Sequence, residues 1–98
     1  MKFKVLAVPP FNRQFKRLAK RYASFKKDIS ELIESLAQNP RQGTPIGSDC
    51  YKVRLAITSK GKGQAGGARV ITYLHTPRYT VYLLSMINLI RQTSLTKS

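Results

Sequence analysis

The chain has 98 residues, 42% hydrophobic and 9% aromatic, a composition that predicts one globular domain with a single modest core and excludes disorder. Eighteen Lys and Arg stand against four acids (Asp28, Glu31, Glu34 and Asp49), and the resulting formal charge of +14 calls for a polyanionic or acidic partner to offset self-repulsion. No apolar run approaches the roughly 18 residues of a membrane span, the opening MKFKVLAVPPF is too short for a signal peptide, and a lone Cys50 excludes an internal disulfide and a cysteine-built metal site. The expectation is a cytoplasmic protein with no membrane partner.

Residues 2 to 8, KFKVLAV, alternate partly and predict a strand closed by Pro9-Pro10. Phe11, Phe15, Leu18 and Tyr22 then recur at helical spacing, with Arg13, Lys16, Arg17, Lys20 and Arg21 on the opposite face. Ser24 is the predicted N-cap of a second helix that buries Ile29, Leu32, Ile33 and Leu36. Asp28, Glu31, Glu34 and Lys27 fall on its other side, and Asn39-Pro40 stops it. The short joint predicts an antiparallel helical hairpin.

Residues 41 to 49 read as a loop. In CYKVRLAIT, Tyr51, Val53, Leu55 and Ile57 point one way and Lys52, Arg54 and Ala56 the other. A glycine-rich connection follows, then ARVITYL as a strand, a turn at His75-Thr76-Pro77-Arg78, and TVYLLS as a strand apolar on both faces, which suits a central position. The order β-α-α-β-β-β gives a small α+β domain: a mostly antiparallel sheet with a helical hairpin on one face.

Gly61-Lys62-Gly63-Gln64-Ala65-Gly66 matches the dinucleotide fingerprint in form only. That fingerprint opens a helix and needs an acid about 20 residues further on, whereas a β pattern follows here and no acid occurs after Asp49. The segment is instead a flexible hairpin connection whose glycines let the backbone approach a phosphate. With Lys52 and Arg54 on the strand before it, Lys60 and Lys62 within it and Arg69 after it, five cations gather at one sheet face and its loop.

The residues KVRLAITSKGKGQAGGARVITY followed by TVYLLS strongly resemble the RelE-like toxins of bacterial type II toxin–antitoxin systems, in the RelE/ParE superfamily. The resemblance extends upstream through FNRQFKRLAKRYASFKKDISELIESLAQNP and TPIG, and covers about residues 2 to 85. It implies the fold already read from pattern and a small endoribonuclease that cuts mRNA, typically on the ribosome, and is silenced by an acidic antitoxin covering its basic face. The implied chemistry is attack of the ribose 2′-OH on the adjacent phosphodiester, which needs no metal and no cofactor. Lys52 and Arg54 would face the scissile phosphate with Lys52 as base, Arg69 would stabilise the phosphorane, and Lys60 and Lys62, set off by Gly61 and Gly63, would clamp the RNA. His75 reads as a surface residue, Cys50 as packing at a strand start, and Tyr79 and Tyr82 as core or sheet-edge aromatics.

Residues 86 to 98, MINLIRQTSLTKS, depart from the family, whose tail is acidic and helical and supplies a tyrosine to the active site. Permissive codons for this stretch, read one base earlier after a serine codon ending in T, encode YDKSDKTNISDKE, a tail of the family type. The expected division is a toxin domain over 1 to 85 and an atypical tail over 86 to 98; a shifted reading frame is the hypothesis for that tail, with codons chosen to fit it, and cleavage weakened or abolished if it holds. Two other readings share the fold: a gyrase inhibitor like the ParE branch, and a catalytically dead toxin that still binds an antitoxin.

Overall fold

The computed structural model describes residues 2 to 58 and 67 to 88. The first strand, β1 (Lys4–Ala7), does end ahead of the two prolines, but Pro9 and Pro10 themselves occupy the first turn of helix α1 (Pro9–Arg21). A first-turn N–H has no intrahelical partner to lose, so proline's fixed φ starts this helix at little cost. Lys20 and Arg21 lie in the last turn, where cations complement the helix dipole.

Helix α2 (Phe25–Gln38) starts one residue after Ser24. The Ser24 hydroxyl does not cap the backbone; it donates to Asp28 Oδ2 at 2.7 Å. Asp28 itself is only 5% exposed, which corrects the expectation of a solvent-facing acid. Phe25, absent from the anticipated stripe, is fully buried beside Ile29, Leu32 and Leu36.

The sheet has five strands in the order β1-β5-β4-β3-β2, one more than the sequence pattern indicates. The additional strand, β2 (Thr44–Gly47), falls inside the stretch expected as loop and pairs antiparallel with β3 (Cys50–Leu55). Pro45 and two neighbouring glycines hide it from a propensity reading, yet proline is tolerated on an edge strand. Ser48 and Asp49 turn the hairpin at φ of 52° and 62°, as a tight hairpin turn requires. Gly43, at φ 97°, enters β2 so close to β3 that a Cβ would sit 2.7 Å from the Lys52 carbonyl oxygen.

Strand β4 (Ala68–His75) alternates strictly: Ala68, Val70, Thr72 and Leu74 are buried, and Arg69, Ile71, Tyr73 and His75 lie half-buried on the other face. Strand β5 (Thr80–Asn88) lies between β4 and β1, pairing antiparallel with the first and parallel with the second. It continues past the predicted TVYLLS, so the segment expected as a tail begins inside a strand. The register shifts at Leu84, between the pairs Thr72–Leu83 and Ile71–Ser85, which keeps Met86 in the core.

One cluster joins Phe11 and Leu18 of α1, Phe25, Ile29, Leu32 and Leu36 of α2, and Val53, Leu55, Ile57, Val70, Leu83 and Met86 beneath them. Both helices therefore cover the same sheet face. The side chain of Gln14 on α1 completes the join, exchanging two 2.8 Å hydrogen bonds with the backbone of Met86 where β1 no longer reaches.

Candidate functional site

Burial of Val53 and Leu55 fixes the phase of β3 and sends Lys52 and Arg54 to the face opposite the helices. Lys52 is half-buried there and Arg54 exposed. On β4, Arg69 stands directly across from Arg54, and Ile71 across from Lys52. Directly opposed residues have Cβ atoms only about 5 Å apart, so the three cations form one patch.

Two features mark this patch. Like charges stand directly opposed across the strands, and the sequence carries no acid after Asp49. In addition, Arg69 Nε is buried and finds no hydrogen-bond partner among the described residues. An oxyanion placed over the patch would meet concentrated positive charge and guanidinium groups able to bond it in bidentate geometry.

Gly67 sets how closely the two arginines approach. A Cβ there would meet the Leu55 carbonyl oxygen, so only glycine lets β4 close against β3 at the Arg54–Arg69 step. Lys60, Gly61, Lys62 and Gly63 lie outside the described residues, so the structure brings together Lys52, Arg54 and Arg69 of the residues anticipated from sequence.

Asp28 is a residue that sequence reasoning missed. It accepts hydrogen bonds from the Thr58 amide and hydroxyl, each at 3.0 Å, and from Ser24. Thr58 is the last described residue before the glycine-rich connection, so α2 anchors the root of that connection. The available signal was local: an acid in the first helical turn, four residues after a serine and next to Phe25 and Ile29 in the helical net.

A second group of cations borders the sheet. A cleft of about 1040 Å³ is lined by Arg13, Lys16, Arg17 and Lys20 of α1, by Lys26 and by Ser85. Ser85 pairs with Ile71, which pairs with Lys52, so the cleft meets the sheet in the same cross-strand row as Lys52.

His75 ends β4 half-buried, with Nδ1 3.4 Å from the Tyr73 hydroxyl. Tyr73 and Tyr82 face each other across β4 and β5 with ring centroids 6.1 Å apart and planes 20° from parallel. Tyr79 is 52% exposed in a left-handed turn and packs edge-on against Phe3. Cys50 is half-buried at the start of β3. Among the described residues no three His, Cys, Asp or Glu side chains group to hold a metal, and no helix is long and apolar enough to cross a membrane.

No family model and no curated protein matches the chain. Solved structures do. A double mutant of the Escherichia coli toxin RelE in its free state superposes with a TM-score of 0.71 at 14% identity, over 98% of this chain and 93% of that one. The intact E. coli RelBE toxin–antitoxin complex gives 0.67 at 13% identity, over 88% and 95%. A RelBE toxin–antitoxin complex from Mycobacterium tuberculosis gives 0.64 at 14%, over 90% and 92%. The chain has the RelE fold: a helical hairpin packed on one face of a mostly antiparallel sheet.

Proposed function

We propose that this chain is a toxin of a type II toxin–antitoxin system that cleaves mRNA by 2′-OH attack on the phosphodiester, and that an acidic antitoxin neutralises it. The observation that carries this reading is the opposition of Arg54 and Arg69 beside Lys52 on a sheet face with no acid in it. Three cations on one sheet face suit a bound phosphate, whose charge they would share.

In the proposed reaction Lys52 is the base that takes the 2′-OH proton as the ribose oxygen bonds to phosphorus. Arg54 and Arg69 hold the charge that builds on the phosphorane oxygens. The bond from phosphorus to the 5′ oxygen then breaks, leaving a cyclic phosphate, and the departing oxygen takes its proton from solvent or from the lysine. Lys60 and Lys62 are proposed to clamp the flanking backbone. The cations of the α1 cleft extend the positive field toward mRNA and, in this reading, the ribosome. A cytoplasmic location belongs to the same proposal.

One observation favours an attenuated or catalytically dead toxin as the second reading. Residues 86 to 98 contain no tyrosine and no acid. A shifted frame that restores the family-type tail would put a tyrosine at position 86, where Met86 is now packed into the core. Expression of this chain beside its frame-restored version, with growth and mRNA ends followed by primer extension, tests both readings. Cuts by both chains, weaker in this one, support an attenuated enzyme, and cuts by the restored chain alone support a dead toxin. Absence of cuts from either chain removes the ribonuclease reading.

A further inference from the structure

The open face of the sheet changes character along its length. At one end Arg54 and Arg69 oppose each other; one step on, Lys52 pairs with Ile71; one step further, Cys50, Tyr73 and Tyr82 form a row. Leu6 of β1 extends that row beyond Tyr82 and is 43% exposed. Tyr73 is therefore a diagonal neighbour of Lys52, about 7–8 Å away across the strands, and lies four residues or about 13 Å along β4 from Arg69. The Tyr73 ring lies nearly parallel to Tyr82, and its hydroxyl is 3.4 Å from His75 Nδ1.

We propose that Tyr73, supported by Tyr82, is a stacking platform for a nucleobase next to the phosphate held by Lys52, Arg54 and Arg69. The open face then takes single-stranded RNA, with backbone at the arginine end and a base at the tyrosine end. This rests on the phosphate-binding reading above and adds to it a position for one base, which a strand with unpaired bases can fill and a duplex cannot. The charge of the face selects a polyanion, and the adjoining aromatic row selects one that carries flat rings. An acidic protein segment satisfies the first demand and leaves the second unused. Two ring torsions already fixed by packing mean that little side-chain freedom is lost on binding.

The test uses the full chain and a short single-stranded oligoribonucleotide made uncleavable by one 2′-deoxy sugar, with 2-aminopurine at the proposed stacking position. Binding is expected to quench the 2-aminopurine fluorescence. Removing that base should weaken binding by about 5- to 150-fold, the range of one base–aromatic stack. Tyr73→Leu should cause a similar loss and then be indifferent to the missing base, whereas Tyr73→Phe should retain affinity, quenching and melting temperature. If Tyr73→Leu binds as wild type and the abasic strand loses nothing, the platform is wrong. In that case, weakened binding by Arg54→Ala and Arg69→Ala still supports the phosphate reading. If the arginine variants also bind unchanged, both fall. Tighter binding of an RNA duplex than of the single strand overturns the platform as well.

Discussion

Asp28 and the Arg54–Arg69 pair are both charged groups built into the sheet-and-helix framework, and they are treated in opposite ways. Asp28 is buried and surrounded by donors: the Ser24 hydroxyl and the amide and hydroxyl of Thr58. The arginines are set against each other, and Arg69 Nε is buried with no hydrogen-bond partner among the described residues. A satisfied buried charge serves the fold, because each charge-assisted bond stabilises by about 1.5–3 kcal/mol. The opposed arginines carry no such set of described partners around Arg69, and the proposed function gives them a ligand instead. In the proposed reading, the difference separates a residue that holds the protein together from residues that serve its ligand.

The largest effect expected from that contrast is on Asp28. Asp28→Ala should destabilise the protein by about 3 kcal/mol, or about 10–20 °C in melting temperature for a domain of this size. Thermal melts check it, and a shift within two degrees would return Asp28 to a passive role. Next comes Gly67→Ala, where the added methyl meets backbone that cannot move aside; about 1–3 kcal/mol should be lost. RNA affinity should fall with it, since the strands can no longer close at the arginines.

Arg69→Met sharpens the comparison by inverting the sign. It keeps the length of the stem, removes the repulsion and the unpartnered nitrogen, and should leave stability unchanged or raise it by up to about 1 kcal/mol. RNA cleavage and binding should nonetheless drop at least tenfold. Parallel losses of stability and binding would make Arg69 structural. The smallest effect belongs to an exposed charge with neither role. Glu34 bonds Lys2 at 3.0 Å, and that hydrogen bond, with the lysine charge behind it, holds its carboxyl below the usual carboxylate range. A lowered folded-state pKa gives stability that is present above the unfolded value and lost as pH falls through the carboxylate range. Because the pair is fully solvated, Glu34→Gln should barely move the melting temperature at neutral pH and should slightly flatten its acid limb.

Much of the fold was legible because helices and inner strands carry strong periodicity. Phe11, Leu18, Ile29, Leu32 and Leu36 announced two amphipathic helices, and Val53 and Leu55 fixed the phase of β3, hence the direction of Lys52 and Arg54. What was hidden depended on partners distant in sequence. Strand β2 exists because β3 lies beside it, against the local bias of Pro45 and Gly43. Asp28 is inside because Thr58, 30 residues away, needs an acceptor. Arg69 could be placed on the right face from alternation, but only strand register puts it across from Arg54. Tyr73 was passed over because a half-buried aromatic on a strand has no distinctive sequence signal; the stack with Tyr82 shows only after β4 and β5 pair.

The parallel pairing of β1 with β5 joins Lys4 to Thr80, and Gln14 to Met86 spans 72 residues. Contacts so distant along the chain are late events in folding, because closing the loop costs entropy before any contact repays it. A ribosome making this protein synthesises both helices and the β2–β3 hairpin before β5 exists. Until then β1 has no strand to lie against, and one edge of β4 is bare. Nascent fragments are thus exposed to strand-pairing accidents, and the arginine face becomes a stable surface only once β5 has joined the sheet.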